Sequence, residues 1–318
     1  LKGSVTASYS SNYASINVGG IVGRLTGREG GNASVQNCVV DVTVSGTSNG
    51  QSSPAYIGGI VGYNNGSVTT GCTSSGAVSG SSTYQTYIGG IVGQNSNYGV
   101  VEKCSNHGTV TVSGTATTSN AGGVAGLNNG EISNCYNAGN ISGNKNSGGV
   151  VGSNGGSSSS HSNVTNCYNT GTVSGNSSTG SVVGYNGNNT TIENCYYLAN
   201  SETDSVDGTT YKTSDEFATG AVAWALQGDQ ESNIWGQQLT GSTDAYPVLT
   251  SEQAKSVLQV QFQYNNTNVQ TDYVNYGGTV TLPTISDVPT GSYVKWVYGE
   301  DDAMFTESTT ITSDTTVT

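Results

Sequence analysis

The sequence predicts an all-β protein. Its first two thirds read as a parallel β-solenoid, followed by a short helical cap and a small β-grasp-like or immunoglobulin-like domain. Three observations carry this. One short phrase recurs six times, as VGGIVGRLTG, IGGIVGYNNG, IGGIVGQNSN, AGGVAGLNNG, SGGVVGSNGG and TGSVVGYNGN. Each copy is followed by a single cysteine (Cys38, Cys72, Cys104, Cys135, Cys167 and Cys195), so the repeats are 34, 32, 31, 32 and 28 residues long. Of the 47 glycines, 38 lie within residues 1–200, set among β-branched residues, and exclude helix there, since each glycine costs about 1 kcal/mol in a helix interior. Self-similarity at this period marks a stacked array in which no unit buries its apolar face alone.

Each copy divides into three short runs, which predicts three strands and three turns per coil. The first run is G-G-[IV]-V-G. The second carries an apolar residue three before the cysteine: Val35, Val101, Ile132, Val164 and Ile192. The second copy has Thr69 there and Val68 one earlier, which suggests a local bulge. The third run holds Val42 and Val44, Val78, Val110 and Val112, Ile141, and Val173. Stacked about 4.8 Å apart, six coils make a rod of roughly 25–30 Å. Asn-Gly steps such as Asn65-Gly66 and Asn129-Gly130 supply turns that tolerate positive φ, and stacked Asn side chains can bond in ladders. The opening LKGSVTASYS reads as the third strand of a further, preceding copy, so the chain reads as a piece of a larger protein.

The six cysteines occupy equal positions and form a column. Parallel Cβ vectors do not converge as a disulfide requires. Buried free thiols acting as small apolar residues are expected, with paired disulfides as the alternative. There is no C-x-x-C pair for a metal, and His107 and His161 belong to no H-E-x-x-H. No metal or cofactor is expected.

Residues 213–227 read as one helix with a Thr213/Glu216 capping box, an apolar face of Phe217, Ala221, Trp224 and Ala225, and a stop at Gly228. With Trp235 and Tyr246 it is expected to close the open end of the solenoid. Residues 257–318 alternate as strands. The expected domains are 1–200 for the solenoid, 201–254 for the cap and 255–318 for the β-domain.

Charge is uneven. Residues 1–197 hold five acids and five bases, so the net charge of −13 resides wholly in 198–318. With no basic patch, nucleic acid is excluded as a partner. No apolar run is long enough to span a bilayer, so membrane insertion is not expected.

The pattern G-G-[IV]-V-G-x-N-x-G-x-[IV]-x-N-C-Y-N-x-G-x-[VI]-S-G, closest in Gly122 to Gly143 and Gly148 to Gly175, resembles the GLUG motif. That resemblance implies a bacterial surface or secreted protein, as in adhesins and the non-catalytic regions of IgA-specific zinc metallopeptidases. GGTVTLP and FTESTTITSDTTVT resemble the Listeria–Bacteroides repeat of bacterial surface proteins.

The leading functional expectation is a non-enzymatic, extracellular spacer or adhesin that binds a host glycan or glycoprotein. Tyr136, Tyr168 and Tyr196 each follow a cysteine, and Tyr63 and Tyr185 share one phase. Alternation points them outward, as a platform for sugars or proteins. Ordinary packing between coils is the plain reading of the same residues. The alternatives are a substrate-positioning region of a secreted peptidase and a β-helix carbohydrate-active enzyme. The latter needs two carboxylates roughly 5–9 Å apart, and Glu102, Glu131 and Glu193 come nearest to a column.

Overall fold

The computed structural model describes residues 1–27, 33–96, 98–114, 116–155, 161–198, 208–241 and 243–318. The chain divides into two compact units, Leu1–Lys212 and Thr213–Thr318. The expected boundary at residue 200 lies outside the described residues. The helices expected as a separate cap share a unit with the β-domain.

The first unit is a parallel β-solenoid. Its third coil shows the plan: Gln85–Gly89, Val92–Ser96, Val100–Glu102, Ser105–Asn106 and Val110–Ser113. Equivalent strands of successive coils pair in parallel. The first three positions form three six-stranded sheets, and the last two join in one twelve-stranded sheet. The coil thus has five strand segments rather than the three expected. The first run is broken at its Gly-Gly pair, and a further break falls just before each cysteine.

Register is strict. Val44, Val78, Val110, Ile141 and Val173 lie in one file. Val35, Thr69, Val101, Ile132, Val164 and Ile192 lie in another. The second copy therefore has no bulge. Thr69 itself occupies the inward position, fully buried, with its hydroxyl lacking a hydrogen-bond partner. Its backbone stays in register because Thr and Val have the same shape. Thr69→Val should stabilise the protein by about 1 kcal/mol in urea denaturation, since it removes an unpaired buried hydroxyl at nearly constant volume.

The corners explain the recurring polar residues. Asn37, Gly71, Lys103, Asn134, Asn166 and Asn194, each directly before a cysteine, all have φ between 51° and 64°. Of the Asn-Gly steps, only Gly66 carries positive φ, so the expected role of those steps is corrected. The asparagines at and beside them work mainly from inside. Asn64, Asn95, Asn128, Asn154 and Asn186 form a ladder along the rod, each amide bonding to the next at 2.9–3.1 Å. Asn106, Asn137 and Asn169 form a second, fully buried ladder at 2.7–2.8 Å. In this second ladder each Asn also clasps the glycine two residues on, as Asn137 does with Gly139.

This ladder faces the second glycine of the Gly-Gly pair. A Cβ on Gly90 would lie 2.2 Å from the Asn106 amide carbon, and one on Gly123 would lie 2.3 Å from that of Asn137. The GG and N-x-G parts of the repeat are therefore two sides of one contact.

The opening strand Lys2–Tyr9 pairs in register with Val39–Ser48, in the place expected for a third run. At the other end Thr209–Lys212 pairs with Cys195–Leu198.

In the second unit, Ser214–Ala218 and Ala221–Gln227 are two helices, not the single one expected. The Thr213/Glu216 capping box is present. The break falls at Gly220, whose φ is 90° and whose missing Cβ leaves room for Leu239 and Val257. The buried face becomes Phe217, Val222, Ala223 and Leu226. Trp235 is buried, and the indole of Trp224 donates to Asp314 at 2.9 Å. Val257–Tyr264 and Thr267–Asn275 form a hairpin whose turn residues Asn265 and Asn266 have φ of 52° and 59°, as a type I′ turn requires. Thr315–Val317 runs parallel to the first of these strands, with Val297–Tyr298 and Ala303–Met304 beyond it. The sheet order is second, first, fifth, third, fourth. A central parallel pair in one sheet fits the β-grasp-like expectation better than a two-sheet sandwich. Phe262 fills its core, edge-on to Trp296 and Phe305.

Candidate binding surface

The structure places the five predicted tyrosines in two separate files. Tyr136, Tyr168 and Tyr196 are consecutive in the strand position after the cysteine. Tyr63 and Tyr185 share the file Arg24, Tyr63, Gln94, Leu127, Ser153, Tyr185 in the second strand position. Four coil steps separate Tyr63 from Tyr185, roughly 19 Å.

The first file is not the open platform expected of it. The rings of Tyr136 and Tyr168 stack 4.9 Å apart and 1° from parallel, and His107 abuts Tyr136 edge-on at 5.4 Å. Tyr168 is 2% exposed. The reason is the coil repeat itself. Rings set about 4.8 Å apart cover one another's faces, and the face is what a sugar stacks upon. The hydroxyls are engaged too: that of Tyr136 with His107 at 3.2 Å, and that of Tyr196 with Asn194 at 2.5 Å. These tyrosines hold coils together.

The expected cysteine column is present. All six thiols are free; Cys38 is half-buried and the others are buried. Each buried sulfur sits by a carbonyl two residues earlier, as with Cys104 and Glu102 at 3.1 Å. Burial raises the thiols of Cys135 and Cys195, keeping them protonated and apolar in character.

The three glutamates do not converge. Glu131 lies in the file of Val100 and Asn163. Glu102 and Glu193 share another file, separated by Ser133 and Thr165, and so stand roughly 14 Å apart. Glu102 accepts a hydrogen bond from Thr70.

A different corner gathers the predicted Tyr63 with aromatic side chains that the sequence reading passed over. Tyr56 and Tyr87 are adjacent in the first strand position and stack at 5.3 Å and 9°. Tyr63 meets Tyr56 edge-on at 5.0 Å. The guanidinium of Arg24 lies over the Tyr63 ring, 4.9 Å from its centre. Tyr84, 36% exposed, is close enough to raise the phenol pKa values of both Tyr56 and Tyr87. Burial is the larger cause and pushes Tyr87 up to about 12. One signal was available: Tyr56 and Tyr87 occupy the same phase, each preceding I-G-G. In the second unit, a cleft of about 470 Å³ is lined by Tyr264, Pro289, Tyr293, Lys295 and Trp296, among others.

Fold and surface together define a β-solenoid of motif-bearing coils with a tyrosine-rich exterior. The family model for the GLUG motif matches residues 84–111 and 143–174. These matches, both within the first unit, support a region of GLUG repeats there. Neither the curated proteins nor the solved structures gave a match.

Proposed function

We infer that this chain is a non-enzymatic extracellular segment of a bacterial surface or secreted protein, a stiff spacer whose flank binds a host glycan or glycoprotein. The observation that carries this reading is the unbroken register of six coils, the second to sixth of which are tied from within by an asparagine ladder and the third to fifth by another. Such a stack keeps a fixed length and presents long flat files of side chains. Its outer hydroxyl file of Thr6, Ser45, Ser79, Thr111, Ser142 and Ser174 is uncharged and suits a surface that works in water. The wide separation of Glu102 and Glu193 favours this reading over a glycosidase.

The test is antibody labelling of intact cells of the source organism, together with an assay of the purified chain on polysaccharides. We expect labelling without lysis and no turnover. Labelling only after lysis, or cleavage of any glycan, would overturn the reading.

A further inference from the structure

The corner formed by Arg24, Tyr56, Tyr63, Tyr84 and Tyr87 differs chemically from the rest of the rod. Arg24 is exposed and forms no ion pair among the described residues; its Nε donates to Thr26 at 3.3 Å. Residues 1–197 balance in charge only with Arg24 counted. The four phenol hydroxyls have no hydrogen-bond partner among the described residues, unlike those of Tyr136 and Tyr196. Beside them, Oδ1 of Asn17, in the same file as Tyr56 and Tyr87, is buried and unpartnered. A buried polar atom without a partner, as Oδ1 of Asn17 is, is costly unless something bonds to it.

Tyr56 and Tyr87 stack on each other and Arg24 covers one face of Tyr63, so the corner offers chiefly edges, hydroxyls and one guanidinium. Hydroxyls that both donate and accept match the hydroxyls of a sugar. A planar guanidinium fork matches a carboxylate. An acidic peptide would call for several cations, and among the described residues the corner has one.

We propose that this corner binds a saccharide bearing a carboxylate, with Arg24 taking the acid and the tyrosine hydroxyls taking the ring hydroxyls. This rests on the reading of the rod as a binding element and names the ligand class. The site spans three consecutive coils, so it exists only when they are stacked.

The experiment uses the full chain with two acidic probes, oligogalacturonate and sialyllactose, each beside its uncharged counterpart (galactose oligomers and lactose). We expect at least one acidic probe to bind about tenfold or more tightly than its counterpart, as a charged hydrogen-bonded pair implies. Arg24→Gln should abolish that preference. Tyr84→Phe should weaken acidic and neutral binding alike by a few-fold. Thr172→Ala, exposed and outside the corner, should change nothing. Equal binding of the uncharged sugar, or a preference that survives Arg24→Gln, overturns the carboxylate assignment while leaving a binding rod. Binding of polyglutamate in place of either sugar also overturns it. If no probe binds, this proposal fails; the broader reading is then decided by its own cell-labelling and turnover assays.

Discussion

Gly89→Ala should unfold the coil that contains it, at a cost above about 4 kcal/mol, the range reached when buried packing and backbone hydrogen bonds fail together. The Cβ would sit 2.0 Å from the carbonyl oxygen of Val92 and 2.6 Å from that of Val124. Both are backbone atoms and cannot swing aside. The Val124 carbonyl already accepts the N–H groups of Ile91 and Val92, at 3.1 and 2.9 Å. Relief of the clash therefore breaks the bonds that join the third coil to the fourth. The backbone φ at Gly89 lies outside the left-handed region, so the effect is one of space, not of conformation. Gly155→Ala is the matched control. Among the described residues its Cβ would meet nothing closer than 3.5 Å, and its stability should stay within about 1 kcal/mol of the parent. Urea denaturation read alongside amide exchange separates the two. Protection should vanish locally around coils three and four, because repeat arrays can lose units individually.

Asn128→Ala is expected to cost about 3–5 kcal/mol, by leaving several buried polar groups without partners. The Asn128 amide donates to Gly130, Asn154 and Asn163, at 3.1, 2.9 and 3.2 Å, and accepts from Asn95 and Gly130, at 2.9 and 3.1 Å. Asn128→Asp keeps the shape and reverses the chemistry. An oxygen would replace the nitrogen that faces three acceptors. Burial and those acceptors raise the folded-state pKa of the new carboxyl above its unfolded value, about 3.9. Its stability is then best below that value and is lost as pH rises through the folded-state pKa. Equal denaturation midpoints for this variant at acid and neutral pH would contradict the ladder.

Much of the fold could be read in the chain because its code is positional. Val and Ile at fixed offsets from each cysteine marked the inward files, and the register followed. The corners were harder. A strand of two residues such as Ser105–Asn106 has no periodicity to detect, so five segments looked like three. Asparagine was ambiguous for a physical reason: it favours turns, yet its amide also suits a buried ladder. Only pairing with Gly90 across the interior shows why Asn106 faces in. Thr69 looked like a fault in the pattern because hydropathy outweighs shape when a sequence is scanned.

The candidate surface was less legible. Alternation put Tyr168 on the outer face, but stacking by its neighbours, which alternation ignores, buried it. Arg24 and Tyr63 are 39 residues apart and meet only because one coil lies upon the next. Tyr56 and Tyr87 shared a visible phase, but that they stack and remain unbonded at their hydroxyls is a property of the assembled rod.

The direction of the backbone hydrogen bonds has a mechanical consequence. They lie along the axis of the stack, so a pull on its two ends loads each interface in tension, one after another. Coils would peel off in succession instead of shearing together. A detached repeat of 32 residues lets out roughly 100 Å of extended chain. Under such a load the stack would lengthen in steps, one coil at a time, and each step would dissipate part of the pull.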